Sequence, residues 1–374
     1  MNFEEYAAKP LLAEAGIPVP KGAAATTPEE AARVAAELGA AVVKAQVPTG
    51  KRGKAGGVRA VDTAEQAAGA ARAILGMEIA GYRVERVLIE QRADIRQELY
   101  AAVLNDTVSK GPLLLFSTLG GMDIEEAAAT NADAVRRHAI DIRAGFDHSA
   151  ADKLLAGMAL AGAEPKVSDV LTRLYQVYRK HDAELVEINP LALTAGGELV
   201  ALDCKFVLDD SAIARQATLA KRGVPERLTD AERRGRELNL RYIELDGNVG
   251  VLANGAGLTM TTMDAVRHYG GQPANFLEIG GEAYTLAKPA LELVLDNPNV
   301  KSLVINFCGA FARTDVMMEG VLGAWQELKP RIPVFFSVHG TGEDEAVQML
   351  RDRLRMEPFD LMDDAVKAAV ESAR

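Results

Sequence analysis

The sequence predicts an α/β protein in two parts: an irregular mixture of helices and strands, then a doubly wound parallel sheet. Three observations lead there. In the second half, strand-like runs at Val249–Leu252, Ala274–Leu277, Leu303–Phe307 and Val334–Val338 alternate with helical ones. That rhythm feeds a parallel sheet. The runs are short and rich in Val, Leu, Ile and Phe, as strands buried on both faces must be. Between the halves, Arg227–Leu245 is charged and weakly periodic. We therefore expect a boundary near residue 240, dividing the chain into 1–239 and 240–374. A length of 374 residues suits two or three domains of about 150 residues each.

The elements follow in order. Asn2 is a candidate cap for a helix running to Gly16, with Pro10 expected to kink or split it. Thr27-Pro28-Glu29-Glu30 is a complete helix start, with Thr27 as the cap, Pro28 in the first turn and Glu30 reaching back. That helix ends at Gly39, and 41–47 reads as a strand feeding a loop over 48–57. Further strands are expected at Val87–Gln91, Glu98–Leu104 and Leu113–Phe116, and an amphipathic helix at Val167–Arg179. Glu184–Leu193 and Leu199–Val207 read as a hairpin across Ala195-Gly196-Gly197. The later helices are Thr261–His268, Leu286–Leu295, Val316–Leu328 and Asp344–Leu354.

Composition excludes several function classes. Lys plus Arg total 42 against 53 Asp plus Glu, a net charge of -11. A binder of nucleic-acid backbones presents the opposite excess, so no nucleic-acid partner is expected. Two cysteines, Cys204 and Cys308, cannot build a disulfide scaffold or a Cys-rich zinc site. No apolar run is long enough to cross a bilayer, so no membrane partner is expected. The acidic opening residues carry no apolar h-region, and the expected location is cytoplasmic. None of the five His stands in a glycine loop or beside a carboxylate in the manner of a metal or triad site.

The 50–57 loop holds four glycines and the cations Lys51, Arg52 and Lys54. Glycines let a backbone close over phosphates, and the cations favour them. The pattern lacks the Ser or Thr that follows the lysine of a P-loop. Read alone, it is equally a basic surface loop. Lys44 shifts the balance. It sits in an apolar strand just before the loop, where it must find an anion or snorkel, and a phosphate is the economical partner. Glu187 and Asn189 share one face of a strand, with Asp203 expected on the neighbouring one. Such oxygens suit magnesium, which keeps its waters and shares substrate phosphates. The bland alternative is the polar face of a hairpin, and it weakens for three such residues on otherwise apolar strands. Glu90 and Glu98 bracket a polar segment and are suited to ribose hydroxyls or an adenine amino group, though such carboxylates are more often solvated. In the second half, Asn254-Gly255-Ala256-Gly257 and Cys308–Asp315 follow strands. Ligands of open α/β sheets bind at those ends, where helix N-termini favour anions.

Taken in order, these motifs resemble a known family. They are Asn2 to Tyr6, Ala8-Lys9, Val42-Val43-Lys44, Arg52 to Val58, Glu187-Ile188-Asn189-Pro190-Leu191, Leu202-Asp203, Asn254 to Leu258 and Pro273 to Leu277. Together they are similar to the β subunit of succinyl-CoA synthetase (ADP-forming) over nearly the whole chain. The resemblance implies an ATP-grasp domain followed by a flavodoxin-like, parallel-sheet CoA-ligase domain. It implies that Lys44, Lys51, Arg52, Gly53, Glu90, Ala93 and Glu98 hold ATP, and that Asn189 and Asp203 hold Mg2+. Glu187 would act beside a phosphorylated histidine. Asn254, Ala310, Phe311 and Ala312 would contribute to the site of a small carboxylic acid. The histidine and the CoA site would belong to a separate α subunit, since no His here has a Gly-His-Ala-Gly setting.

Two loops depart from the family pattern. Gly50-Lys51-Arg52-Gly53 stands where Gly-Gly-Arg-Gly is usual, and Cys308-Gly-Ala-Phe-Ala-Arg-Thr-Asp315 where the usual run is Phe-Gly-Gly-Ile-Val-Arg-Cys-Asp. The second change leaves malate or citrate as alternatives to succinate, and a non-catalytic regulatory paralogue as an alternative to an enzyme. A stand-alone ATP-grasp ligase joining an acid to an amine would leave the second half without a role.

Overall fold

The computed structural model describes residues 1–50, 52–122, 124, 134–280 and 286–374. They form two compact units, Met1–Glu226 and Arg227–Arg374.

The first unit contains two larger sheets. Strands β1 (Gly22–Ala25), β2 (Ala41–Ala45), β3 (Val58–Val61) and, after the small β4 (Glu78–Ile79) and β5 (Tyr82–Arg83) hairpin, β6 (Val87–Gln91) make the first, in the order β1-β6-β2-β3. Helices Pro28–Leu38 and Ala64–Ile74 cover one side. Their buried faces are Ala31 and Ala35 against Ala67, Ala70 and Ala71, small residues that let helices sit close to Val43 and Ile89. Thr27 caps the first of these helices through Glu30 N–H, and Glu30 reaches back to Thr26. The second sheet holds β7 (Ile95–Asp106), β8 (Gly111–Ser117), β9 (Val135–Ala139), β10 (Ala183–Thr194), β11 (Leu199–Ala201) and β12 (Lys205–Leu208). Its order is β11-β10-β7-β8-β9, with β12 also paired to β10. Helix Glu164–Lys180 and helix Glu5–Glu14 share its core through Val170, Leu171, Leu174, Ala7, Leu11 and Leu12.

Three expectations about this unit are corrected. Asn2 caps no helix. The helix begins at Glu5 with Glu4 in the cap position, and Asn2 forms extended bridges to Val207 and Val224. Pro10 does not split the helix, which continues through it from Glu5 to Glu14. At the sixth helical position proline removes one ladder bond, the N–H that would have met the Tyr6 carbonyl, and the flanking turns carry the helix through. The second arm of the hairpin is not one strand. It divides into β11 and β12, and Asp203 lies in the break at 202–204. β11 and β12 keep one register against β10, and in it Leu202 stands opposite Pro190: Leu202 N–H bonds the Pro190 carbonyl, but proline has no N–H to return, so the ladder thins there.

The second unit is the expected doubly wound sheet. It comprises β13 (Tyr242–Glu244), β14 (Val249–Asn254), β15 (Asn275–Ile279), β16 (Ser302–Gly309) and β17 (Val334–Gly340), in the order β13-β15-β14-β16-β17. All pairings are parallel except that of the antiparallel edge strand β13. Alternate residues of β16 feed opposite cores: Leu303, Ile305 and Phe307 on one face, Val304 on the other. Helices Ala287–Leu295, Thr314–Leu328 and Glu343–Leu354 cover the first face, and Ala256–His268 and Met362–Ser372 the second. Within Arg227–Leu245, helix Asp230–Glu237 is set by a full capping box between Thr229 and Glu232. Among the described residues no helix is long and apolar enough to cross a membrane.

β14 and β15 share a short ladder, Ala253↔Glu278 and Asn254↔Ile279. Fully buried Asn275 extends it with its side chain. Its Oδ1 accepts from Val251 N–H (3.1 Å), and its Nδ2 donates to the Val251 carbonyl (2.8 Å). Asn275→Ala strands both groups without water. We expect a loss of roughly 2–4 kcal/mol in urea unfolding of the full chain.

Candidate functional site

A cleft of about 790 Å³ opens in the first unit, its lining drawn from both sheets. Lys44, Arg52, Gly53, Glu90, Ala93, Glu187, Asn189 and Asp203 all lie on its walls. β2 supplies Lys44, β6 supplies Glu90, β10 supplies Glu187 and Asn189, and the break before β12 supplies Asp203. Glu98 stands one step away, its carboxylate against Gly121, which lines the cleft at φ +71°. Lys51 lies outside the described residues.

Lys44 does find anions, and in this structure they are carboxylates. Its ammonium lies 2.8 Å from Glu5 Oε1 and 2.7 Å from Glu90 Oε2, and donates to the Leu202 carbonyl. Arg52 turns inward from its loop and is nearly buried. It grips both Asp203 oxygens at 2.7 Å and donates to the Ala45 carbonyl at 3.0 Å. Its Nη1 is also in ion-pair contact with Glu5 Oε2 at 2.8 Å. Lys9 closes the set. Its ammonium touches Glu5 Oε1 (2.7 Å), both Glu90 oxygens (2.5 and 2.6 Å) and the Leu202 carbonyl (2.9 Å). Three cations and three carboxylates therefore neutralise one another. Burial alone would raise the Glu5 carboxyl, but Lys44, Lys9 and Arg52 outweigh it and hold the group well below the usual carboxylate range. Burial likewise opposes the charge of Lys44, and Glu5, Glu90 and Asp203 reverse that, pushing it above the ordinary lysine value.

The remaining polar residues are also held. Asn189 Oδ1 accepts from Gly121 N–H at 2.8 Å, and its Nδ2 donates to the Met122 carbonyl at 2.9 Å. The Tyr100 hydroxyl, on the adjacent β7, donates to Glu187 Oε2 at 3.0 Å. Among the described residues no three His, Cys, Asp or Glu side chains converge as a metal cage. Cys204 is buried beside Asp203, and burial pushes its thiol up, which makes it a poor nucleophile.

In the second unit Asn254 ends β14 and clamps the neighbouring strand. Its Nδ2 donates to the Cys308 carbonyl (2.9 Å), and its Oδ1 accepts from Cys308 N–H (2.8 Å). The clamp fixes the start of the 309–312 loop. The loop's Phe311 ring is fully exposed, and it leads into helix Thr314–Leu328, where Arg313 pairs with Asp315 at 2.9 Å.

Residues 2–193 match the family model of the ATP-grasp domain, and residues 252–371 that of the CoA-ligase domain. The chain is 44% identical to the succinate–CoA ligase (GDP-forming) subunit beta of Thermus thermophilus, with 94% of each chain covered. It is 41% identical to the succinate–CoA ligase (ADP-forming) subunit beta of Roseiflexus sp. (strain RS-1), with 100% of each covered. The chain belongs to the succinate–CoA ligase β-subunit family. The two domains stand in the order expected from the motifs. The structure of ATP citrate lyase from Methanothrix soehngenii has a similar fold, with a TM-score of 0.71 at 24% identity and 99% of each chain covered.

Sequence reasoning did not assign roles to Glu5, Lys9 or Tyr100. The spacing of Glu5 and Lys9, four apart on a helix, was a signal, but it reads as an ordinary exposed ion pair. The network also sets a pH dependence. Glu5 is depressed, so its contribution is present above its unfolded pKa and lost as pH falls through the folded value. Lys44 is raised, so its contribution is lost only as pH climbs through the folded value, beyond the ordinary lysine range. We expect stability to hold across neutral pH and to fall on acidification below about pH 4. Glu5→Gln leaves buried cations short of a partner. It should cost roughly 3–5 kcal/mol at pH 7 and flatten the acid limb, as read by urea unfolding across pH.

Proposed function

We propose that the chain is the β subunit of an ATP-dependent carboxylic acid–CoA ligase, with succinate the first acid to test. The supporting observation is the cleft. The residues implied as nucleotide and metal ligands line it together, in a chain similar to succinate–CoA ligase β subunits along its whole length. In this reading Lys44 and Arg52 face the ATP phosphates, and the segment from Glu90 through Ala93 to Glu98 faces the nucleoside. The 1–239 part binds nucleotide, and the 240–374 part shares the acid site through Asn254, Ala310, Phe311 and Ala312.

Asn189 and Asp203 present an amide oxygen and a carboxylate, hard donors that fit Mg2+. Asp203 already holds a cation, Arg52, which shows that the position tolerates positive charge. Bound there, Mg2+ would neutralise phosphate charge. Two protein oxygens suffice for an ion that keeps waters and phosphate oxygens of its own.

The γ-phosphoryl group passes, in this proposal, to a histidine of a partner α subunit, which also carries the CoA site. Glu187 accepts and returns the imidazole proton, held in direction by the Tyr100 hydroxyl. The amide end of helix Thr314–Leu328 offers partial positive charge to an anion, and the Arg313 contact offsets the charge of Asp315 there. The fully exposed Phe311 favours a second reading for the acid alone, one differing in shape from succinate.

The test is phosphorylation. Co-purified with its α subunit and given labelled ATP and Mg2+, the complex should acquire acid-labile phosphate on the partner. CoA with succinate, malate, citrate or acetate should then discharge it, naming the acid. Glu187→Gln should slow labelling about 100-fold or more. A complex that binds ATP but never labels would favour the regulatory reading instead.

A further inference from the structure

We infer that Lys9, through Glu5, is a positioning residue for the phosphate-facing cations Lys44 and Arg52. The inference rests on the nucleotide reading above and names residues that reading does not use.

Lys9 does not line the cleft, whereas Glu5, Lys44, Arg52 and Glu90 do. Only 4% of it is exposed, and its ammonium is surrounded by Glu5, Glu90 and the Leu202 carbonyl. It therefore acts on a bound anion through its neighbours. Two features define how. The first is charge. Glu5 and Glu90 both touch Lys44, and Glu5 also touches Arg52. Without Lys9, these two carboxylates would cancel the two cations and leave Asp203 in excess. With Lys9 present the six charges balance. When Asp203 turns to a metal ion, one positive charge is left over, and it is expressed at Lys44 and Arg52 because these reach the cleft.

The second feature is spacing. Glu5 Oε1 accepts from Lys44 while Glu5 Oε2 contacts Arg52, so a single carboxylate sets the separation of the two cations. Lys9, one helical turn along and bound to the same Oε1, fixes the direction of that carboxylate. The Leu202 carbonyl accepts from both lysines and ties them to the chain that carries Asp203.

A purely structural role would weaken every ligand alike, whereas a role in placing positive charge is felt only by phosphates. The experiment compares ATP with adenosine, both with Mg2+, by displacement titration calorimetry on the full-length complex. For Lys9→Met we expect ATP affinity to fall about tenfold or more, adenosine to stay within twofold, and Lys9→Arg to restore most of the loss. Equal losses for the two ligands, or no loss for ATP, would overturn the inference. If Lys9→Met does not fold, Lys9→Gln, which keeps a hydrogen-bond donor, serves on the same two ligands. A tenfold or greater loss for ATP with adenosine within twofold supports the inference, and equal losses or no loss for ATP overturn it. Failure of the wild-type complex to bind ATP would instead overturn the nucleotide reading itself.

Discussion

Five charges, Glu5, Lys9, Lys44, Arg52 and Glu90, can leave water in the first unit only if they leave together, with the partly exposed Asp203 at their edge. Any one of the five buried without its neighbours would cost several kcal/mol. With Asp203, their side chains come from a helix, two strands of one sheet, a glycine loop and a break in the other sheet. Neutralisation thus requires these elements to meet at one place, and the place is the wall of the cleft. The network is weak evidence for stability in itself, since an apolar core of the same volume could do as well. What it specifies is geometry, with each cation bounded by named oxygens within 3 Å.

The same constraint accounts for the local irregularity of the hairpin. The arm through 199–208 keeps one register, in which the Leu202 carbonyl faces Pro190, a residue with no N–H to offer it. That leaves the carbonyl for Lys9 and Lys44, and Asp203 beside it meets Arg52. An interruption that looks like a defect in the sheet therefore supplies one acceptor and one carboxylate to the cleft.

How much of this was legible in the sequence depends on the range of the forces involved. The strands of the second unit were readable because burial on both faces demands continuous Val, Leu and Phe. β14 and β16 emerged with the expected starts within a residue. Lys44 was readable because a charge in an apolar strand has few explanations. Its partners were not, because Glu5 lies 39 residues away and a four-residue charge spacing on a helix is common. β13 was missed because three residues paired to an edge carry no period of their own. Asn2 was misread because capping was inferred from residue type, while pairing with Val207 and Val224 depends on chain far downstream.

The loop of the second unit shows where the fold permits change. At Gly309 an added Cβ would run into the Ala312 carbonyl, and at Gly340, with φ +99°, it would run into the Gly309 carbonyl. Neither position can vary without moving the end of β16 against β17, which pair there. Asn254 cannot vary without releasing Cys308. Ala310 and Phe311 lie between these fixed points, and the Phe311 ring makes no demand on the core because it is fully exposed. Two of the five departures from the usual run, the exposed Ala310 and Phe311, therefore fall where the backbone frame is indifferent to side-chain size. The frame can be kept while the surface offered to an acid changes, which is why the labelled complex must be chased with several acids and not with succinate alone.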